Sequence, residues 1–385
     1  MSLLIGGILL AELLDMKALV EPGRALSDAE KERYSRHLLI PNIDIAGQER
    51  LINARVLCVG AGGLGSPTIM YLAAAGIGEI GIIDFDRVDV TNLQRQIIHT
   101  QNDLGKSKAI SAKEKVESLN PGIKVNTYEF KLDSNNALDI FKNYDLIIDC
   151  TDNFATRYLI NDAAAILGKP YIWGSIYRFD GQASVFWSNE GPCYRCMHPT
   201  PPAPGAVPSC AEGGVLGVLC GTIGSIQSNE AIKLITGIGN SLLGTLLIYD
   251  ALDSSYKKVE IKKSETCPIC SGKQKELLPD YEDFCGLGDA ITPAQLAERA
   301  NEYFLVDVRE PEEHVALSIP GAVLIPKGKF EDGSAFALMP SDREIILYCR
   351  SGIRSATCLQ LLKAAGFYNS KHLQGGIIAW EESKR

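Results

Sequence analysis

Three groups of residues in this 385-residue chain have the types and spacing for chemistry. Gly60-Ala-Gly62-Gly63-Leu-Gly65 fits G-x-G-x-x-G, a spacing that lets backbone N–H groups and a helix N-terminus approach a phosphate. Asp84 follows about 20 residues past the last glycine, where a carboxylate can hold ribose hydroxyls. Asp86, Asn92, Arg95, Gln96, Lys106, Lys108, Asp152 and Asn153 add a mixture of cations, carboxylates and amides. Arginine and lysine neutralise charge that develops on an α-phosphate and its pyrophosphate leaving group, and an aspartate can hold Mg2+. The second group is Cys193-Tyr-Arg-Cys196 with Cys267-Pro-Ile-Cys270, two C-x-x-C knuckles able to present four thiolates to one tetrahedral Zn2+. A shared ion would clip the domain's end onto its middle and add stability rather than catalysis; a redox disulfide and unpaired structural thiols are the rival readings. The third is Cys349-Arg350-Ser351-Gly352-Ile353-Arg354-Ser355, which puts a thiol at a strand-to-helix turn, where the helix dipole and nearby cations stabilise a thiolate.

The elements that must hold these residues follow from periodicity. Residues 55–60 read as a buried strand and 64–75 as a helix entered through glycines, which opens a βαβ unit. A second strand is predicted over 79–84, a helix over 108–119 ending at Asn120-Pro-Gly122, and a third strand over 124–130. A strand over 145–149 and a helix over 154–167 complete a doubly wound, mostly parallel α/β sheet with the charged cluster at its carboxyl edge. The glycine fingerprint alone favours an NAD or FAD enzyme, but hydride transfer has no use for those cations and carboxylates. Past residue 262 the chain turns polar and Gly/Pro-punctuated; strands over 303–307 and 344–348 and a helix over 353–365 predict a smaller α/β domain. The expected boundaries are 1–28 for an N-terminal extension, 29–272 for the nucleotide domain, 273–288 for a linker and 289–385 for the second domain.

As a set, Arg33-Tyr-Ser-Arg36-His37, the glycine loop, Asp84-Phe-Asp86, Asn92-Leu-Gln-Arg95-Gln96, Gly105-Lys-Ser-Lys108 and Cys150-Thr-Asp152-Asn153 resemble the MoeB/ThiF family, bacterial relatives of ubiquitin-activating enzymes. The resemblance covers 29–272 almost continuously. It implies a Rossmann-like ATP-binding domain in which Asp84 binds ribose, Asn92, Arg95 and Lys108 contact the ATP phosphates, and Asp152 serves Mg2+. It also implies structural zinc on the four knuckle cysteines, and a homodimer in which Arg36 reaches the partner subunit's site. The family places a cysteine where Cys210 stands, in a Pro- and Gly-rich crossing segment, and in some members it attacks the activated carrier or resolves a disulfide; a tolerated loop thiol is the plainer reading. Cys58 and Cys150 sit in apolar strand contexts and are expected in the core.

The C-terminal domain resembles a rhodanese, with Val306-Asp307-Val308-Arg309-Glu310, Ile319-Pro-Gly-Ala322 and Gly375-Gly-Ile-Ile-Ala-Trp380 as further matches. Two departures stand out. Related phosphatases end the cysteine loop on arginine where this chain has Ser355, which favours a sulfur-sized cradle, and Ser318 replaces the histidine that often precedes Ile-Pro-Gly-Ala. The two resemblances together imply adenylation of a ubiquitin-like sulfur carrier at its C-terminal Gly-Gly, with Arg95, Lys108 and Arg36 stabilising the pentavalent phosphate. A persulfide on Cys349, loaded by a cysteine desulfurase or thiosulfate, would then make a thiocarboxylate, and fusing the sites raises their effective concentration. Molybdopterin synthesis is the first expectation for the pathway, ahead of thiamine, cysteine or tRNA thiolation. The alternatives are a rhodanese domain that only recruits a donor and an NAD-dependent oxidoreductase.

Bulk properties agree. The length exceeds what one core usually serves. A net charge of −9 argues against a surface that tracks nucleic acid. The apolar run 3–14 is interrupted by Glu12 and too short to span a bilayer, so a docking helix is expected rather than a membrane segment. Eleven cysteines, several in C-x-x-C pairs, suit a reducing cytoplasm better than a secreted disulfide framework.

Overall fold

The computed structural model describes residues 16–202, 214–285, 289–299 and 302–384. Cys210 and the apolar run 3–14 lie outside the described residues. The chain divides into two compact units that part between Leu277 and Leu278.

The larger unit is built on eight strands: β1 (Arg55–Val59), β2 (Glu79–Ile83), β3 (Lys124–Tyr128), β4 (Leu146–Asp149), β5 (Tyr171–Tyr177), β6 (Asp180–Phe186), β7 (Thr245–Asp250) and β8 (Ser255–Glu260). Their order is β3-β2-β1-β4-β5-β6-β7-β8, with parallel pairing through β5 and antiparallel pairing from β5 to β8. After Arg55, β1 is buried throughout, as a strand covered on both faces must be. Gly60, at φ 98°, turns the chain out of β1, so the ladder stops at Val59 and the glycine loop begins one residue earlier than periodicity suggests. Asp84 likewise falls just outside β2, its carboxylate bonded back to the Ala61 N–H at 2.8 Å.

The helix Gly65–Ala75 ends on Gly76 in the left-handed region, the usual C-terminal stop. The helix Lys108–Leu119 starts from the Ser107 side chain, and Phe154–Ile166 from Asn153, whose Oδ1 accepts the Thr156 N–H at 2.9 Å. A long helix, Gly217–Thr236, packs against Gly65–Ala75; at Gly224 an added Cβ would come within 2.7 Å of the Leu64 carbonyl oxygen, so glycine sets how closely the two helices approach. Leu19 donates its N–H to the Leu234 carbonyl on that helix. No helix of the described residues is long and apolar enough to cross a membrane.

The smaller unit has five parallel strands, β9 (Ala290–Ile291), β10 (Phe304–Asp307), β11 (Val323–Leu324), β12 (Ile345–Tyr348) and β13 (Ser370–Leu373), in the order β11-β10-β12-β13-β9. The central strand β12 is buried at every position and feeds the helix Ile353–Ala364. The stretch expected as linker carries a short helix, Tyr281–Phe284.

Candidate functional site

The strand order reverses around β1, whose neighbours are β2 on one side and β4 on the other. The crevice outside the carboxyl ends of such strands is where open α/β sheets bind ligands. Here that crevice is a cleft whose walls include Gly60, Gly62, Gly63, Asp84, Asp86, Arg95, Gln96, Lys108, Asp152 and Asn153. Ten of the residues singled out from sequence therefore meet in one place.

Within the cleft the polar groups are held by one another. Asp84 accepts the N–H of Ala61 on one oxygen and the N–H of Asp86 on the other (2.9 Å), while burial raises its pKa above the usual carboxylate value. The Lys108 ammonium is nearly buried and lies 2.8 Å from Asp86 Oδ2, and its own N–H bonds the Asp86 carbonyl. Gln96 is buried with Oε1 lacking a partner among the described residues. An unsatisfied buried amide of this kind costs about 1–3 kcal/mol, which a polar ligand would recover. Gly63 has a steric role as well, since an added Cβ would sit 2.7 Å from the Cys220 Sγ on the helix Gly217–Thr236.

Four expected residues do not line the cleft. Lys106 is paired with Asp103 and Glu114 instead. Gly65 is buried at its helix start, where an added Cβ would lie against the Gly60 carbonyl. Asn92 ends a 3-10 turn and its Oδ1 accepts the Asp89 N–H at 3.1 Å. Arg36 is exposed on the helix Ser35–Leu38 and is not among the cleft's walls.

The structure also adds residues that motif reading missed. Arg157 lines the cleft; its guanidinium lies over the rings of Phe154 and Trp173 and donates to the Thr151 carbonyl and the Ser175 hydroxyl. Phe130, Lys131 and Leu132, directly after β3, form another part of the wall. The available signal was position: Arg157 stands one turn after the helix cap Asn153, and the other three follow a carboxyl strand end.

Asp149 ends β4 fully buried, its Oδ1 accepting from the Thr151 N–H and hydroxyl while Oδ2 has no partner among the described residues. Burial pushes its pKa from 3.8 up to about 6, against the pull of Arg157. An acid raised in this way favours the folded chain while protonated and opposes it once ionised, so its contribution to stability declines as pH rises from about 4 through about 6. Asp149→Asn keeps an acceptor for Thr151 and removes the ionisation. We expect the variant to gain up to about 3 kcal/mol over the parent near neutral pH, with the two converging near pH 4. Melting curves that stay parallel across that range would refute the assignment.

The two C-x-x-C knuckles form one cluster. All four sulfurs of Cys193, Cys196, Cys267 and Cys270 lie within 4.8 Å of one another, with Cys193 and Cys267 at 3.5 Å and Cys196 and Cys270 at 3.5 Å. A tetrahedron with metal–sulfur bonds of about 2.3 Å has sulfur edges of about 3.8 Å, so the cluster could hold a metal ion. Hydrogen bonding among the sulfurs pulls the Cys196 thiol down and pushes that of Cys193 up. The Ser264 N–H points at the Cys196 Sγ, 3.4 Å away, and Arg195, inside the first knuckle, makes a buried pair with Asp162 that ties the cluster to the core. We expect Cys196→Ser to lose bound zinc by elemental analysis and to melt roughly 6–12 °C lower, corresponding to about 3 kcal/mol. An unchanged metal content would overturn the zinc reading.

In the smaller unit, Cys349 leaves β12 fully buried. Its sulfur accepts the Gly352 N–H at 3.2 Å and lies 3.6 Å from the Ser355 hydroxyl. Gly352 has φ 98°, a left-handed turn that bends the backbone around the sulfur. Arg354 of the same loop is held in a bidentate pair with Glu313 at 2.7 and 2.8 Å. Below the loop, Asp307 is buried between Arg309 and His314. Cys58 and Cys150 are buried in the core of the larger unit, where desolvation raises both thiols.

A glycine-lined cleft at a sheet's switch point, together with a thiol cradled at a strand-to-helix turn in a second unit, defines a nucleotidyl-transferring α/β protein with a sulfur-handling module. The chain belongs to the ThiF family, which it matches over residues 34–269, and it carries a rhodanese-like domain over residues 292–383. It is 54% identical over 379 residues to the "Probable adenylyltransferase/sulfurtransferase MoeZ" of Mycobacterium tuberculosis, covering 94% of this chain and 95% of that protein. It is 51% identical over 265 residues to the "Sulfur carrier protein adenylyltransferase" of Thermus thermophilus, covering 67% of this chain and 97% of that one. The "Adenylyltransferase and sulfurtransferase MOCS3" of Drosophila yakuba is 41% identical over 395 residues, covering 95% of this chain and 87% of the relative. The solved structure of E. coli MccB with MccA-N7isoASN shares the fold, with a TM-score of 0.56 at 22% identity over 62% of this chain and 74% of that one. The chain is an adenylyltransferase and a sulfurtransferase, and the nicotinamide reading of the glycine fingerprint gives way.

Proposed function

We propose that this chain adenylates the C-terminal glycine of a ubiquitin-like sulfur carrier and converts it to a thiocarboxylate with sulfur carried on Cys349. The observation that carries the reading is the meeting of Arg95, Lys108 and Asp152 with the glycine loop in one cleft, in a chain that also cradles Cys349. ATP lies with its ribose on Asp84 and its adenine against Phe130 and Leu132. Arg95 and Lys108 neutralise charge as a carrier carboxylate oxygen attacks the α-phosphate and pyrophosphate leaves. Asp152 would hold Mg2+, which would supply further charge neutralisation. Gln96 and Asn153 shape the phosphate end, Asn92 braces the turn beside them through its bond to Asp89, and Arg36 completes the site of the partner in a homodimer.

A desulfurase or thiosulfate loads Cys349 as a persulfide, whose outer sulfur attacks the acyl-adenylate and releases AMP. The Cys210 thiol then cleaves the acyl disulfide, freeing the thiocarboxylate and leaving a disulfide for a cellular reductant. The four knuckle cysteines would hold a structural zinc that clips the end of the larger unit onto its middle. Relatives named MoeZ and MOCS3 support molybdopterin synthesis as the pathway. Mass spectrometry of molybdopterin, thiamine, cysteine and tRNA-thiolation carriers after reaction with ATP and a donor tests this assignment. Thiocarboxylate on the molybdopterin carrier is expected, and its formation only on another moves the enzyme to that pathway. The adenylation itself is read by carrier-dependent exchange of labelled pyrophosphate into ATP; no exchange with any Gly-Gly-tailed carrier would sink the proposal.

A further inference from the structure

Behind the cleft, and outside its walls, a buried histidine joins the glycine loop to the helix that presents Lys108. His99 is 4% exposed. Its Nε2 lies 3.0 Å from the Ala61 carbonyl oxygen and its Nδ1 2.9 Å from the Ser111 Oγ. A carbonyl only accepts, so Nε2 carries the proton and Nδ1 accepts the serine hydroxyl. Ala61 sits between Gly60 and Gly62, and its N–H is taken by Asp84 at 2.8 Å. The loop residue is thus gripped from both sides, by a carboxylate at the end of β2 and by an imidazole.

These contacts close a ring. Ser111 stands one turn beyond Lys108 on the helix Lys108–Leu119. Lys108 is bonded through both its N–H and its ammonium to Asp86, and the Asp86 N–H is bonded to Asp84, which holds Ala61. The circuit runs from Ala61 through Asp84, Asp86, Lys108 and Ser111 to His99 and back to Ala61. Every link is a hydrogen bond or a single turn of helix. A serine hydroxyl and an imidazole placed on such a ring fix the distance between the loop amides and the Lys108 ammonium, the two features that must face one triphosphate together.

We infer that His99 is a positioning residue for adenylation, acting as a neutral Nε2–H imidazole that sets the register of the glycine loop against Lys108. It touches no substrate in this scheme, and its effect falls on ATP rather than on the carrier or the sulfur site. This inference rests on the adenylation reading above.

The test is steady-state pyrophosphate exchange with the full chain and a carrier that supports it. His99→Leu removes both bonds and is expected to raise the KM for ATP roughly tenfold, with the KM for carrier unchanged. His99→Gln, whose amide N–H can still reach the Ala61 carbonyl, is expected to recover most of that loss. Ser111→Ala serves as the milder variant should the leucine chain fail to fold, with an expected rise of about threefold. The ring proton of His99, followed by long-range nitrogen–proton NMR, should reside on Nε2. An ATP KM within the error of the parent's in both His99→Leu and Ser111→Ala, or a proton on Nδ1, overturns the inference. Failure of the parent itself to exchange pyrophosphate would instead remove the adenylation reading. Thiosulfate-to-cyanide transfer at Cys349 should be the same in all variants; its loss alongside exchange would mean general damage and overturn the specific role.

Discussion

A Lys108→Ala chain will exchange carrier-dependent pyrophosphate about two to three orders of magnitude more slowly than the parent, the scale associated with losing one preorganised charge partner. The reason lies in how little freedom this ammonium has. Its stem is nearly buried, its backbone opens a helix, and its Nζ is already aimed into the cleft by Asp86 at 2.8 Å. No reorganisation is needed when negative charge appears on the leaving pyrophosphate, so the interaction acts on the transition state more than on bound ATP. kcat should fall by more than the KM for ATP rises. Lys108→Arg should rescue poorly, because a planar fork cannot occupy the place of a compact point charge. A decrease smaller than about fivefold for the alanine variant would show that Arg95 and Mg2+ suffice, and the assignment of Lys108 would have to be withdrawn.

Cys349→Ala separates the two chemistries. Thiocarboxylate should disappear to the detection limit of intact-carrier mass spectrometry, while pyrophosphate exchange stays at the parent's level. The thiol is the acceptor of sulfur; the N–H of Gly352 aims at it, and the Ser355 hydroxyl lies 3.6 Å from it while also reaching the Gly352 carbonyl at 3.0 Å. Serine is a poor substitute, since an alkoxide neither forms nor carries a persulfide under these conditions. Thiocarboxylate persisting at the parent's rate would reduce the rhodanese-like unit to a docking module for the donor. The reciprocal control is Lys108→Ala, which should still transfer sulfur from thiosulfate to cyanide.

Much of the larger unit could be read in advance because its early elements are punctuated. Asn120-Pro-Gly122 closes the helix Lys108–Leu119, and glycines mark the exit from β1, so strand and helix ends fell within a residue or two. The antiparallel half carried no such marks. β6 and β7 pair directly, yet the first knuckle and the whole helix Gly217–Thr236 lie between them in sequence. That helix contains Gly221 and Gly224, residues that lower helical expectation and are explained at Gly224 only by the close approach to Leu64.

The site divides in the same way. Residues whose chemistry is intrinsic, such as Lys108, Asp84 and Cys349, are legible from type and motif. His99 is not, because its partners are a backbone carbonyl 38 positions away and a serine whose hydroxyl has no pattern of its own. Asn92 and Asn153 carry a second task that no motif announces: each uses its side-chain carbonyl on a local turn or cap, and Asn153 does so while lining the cleft. That the two C-x-x-C pairs converge is likewise a property of the folded chain, since spacing alone defines each pair but not their meeting.

The contact between Gly63 and Cys220 reaches beyond the molecule at hand. Because a methyl group at the first position would collide with the sulfur at the second, two sites 157 residues apart cannot drift independently. Lineages that replace the glycine by alanine must shrink or reorient what stands opposite, and paired substitution at these two columns is the genealogical trace this crowding should leave.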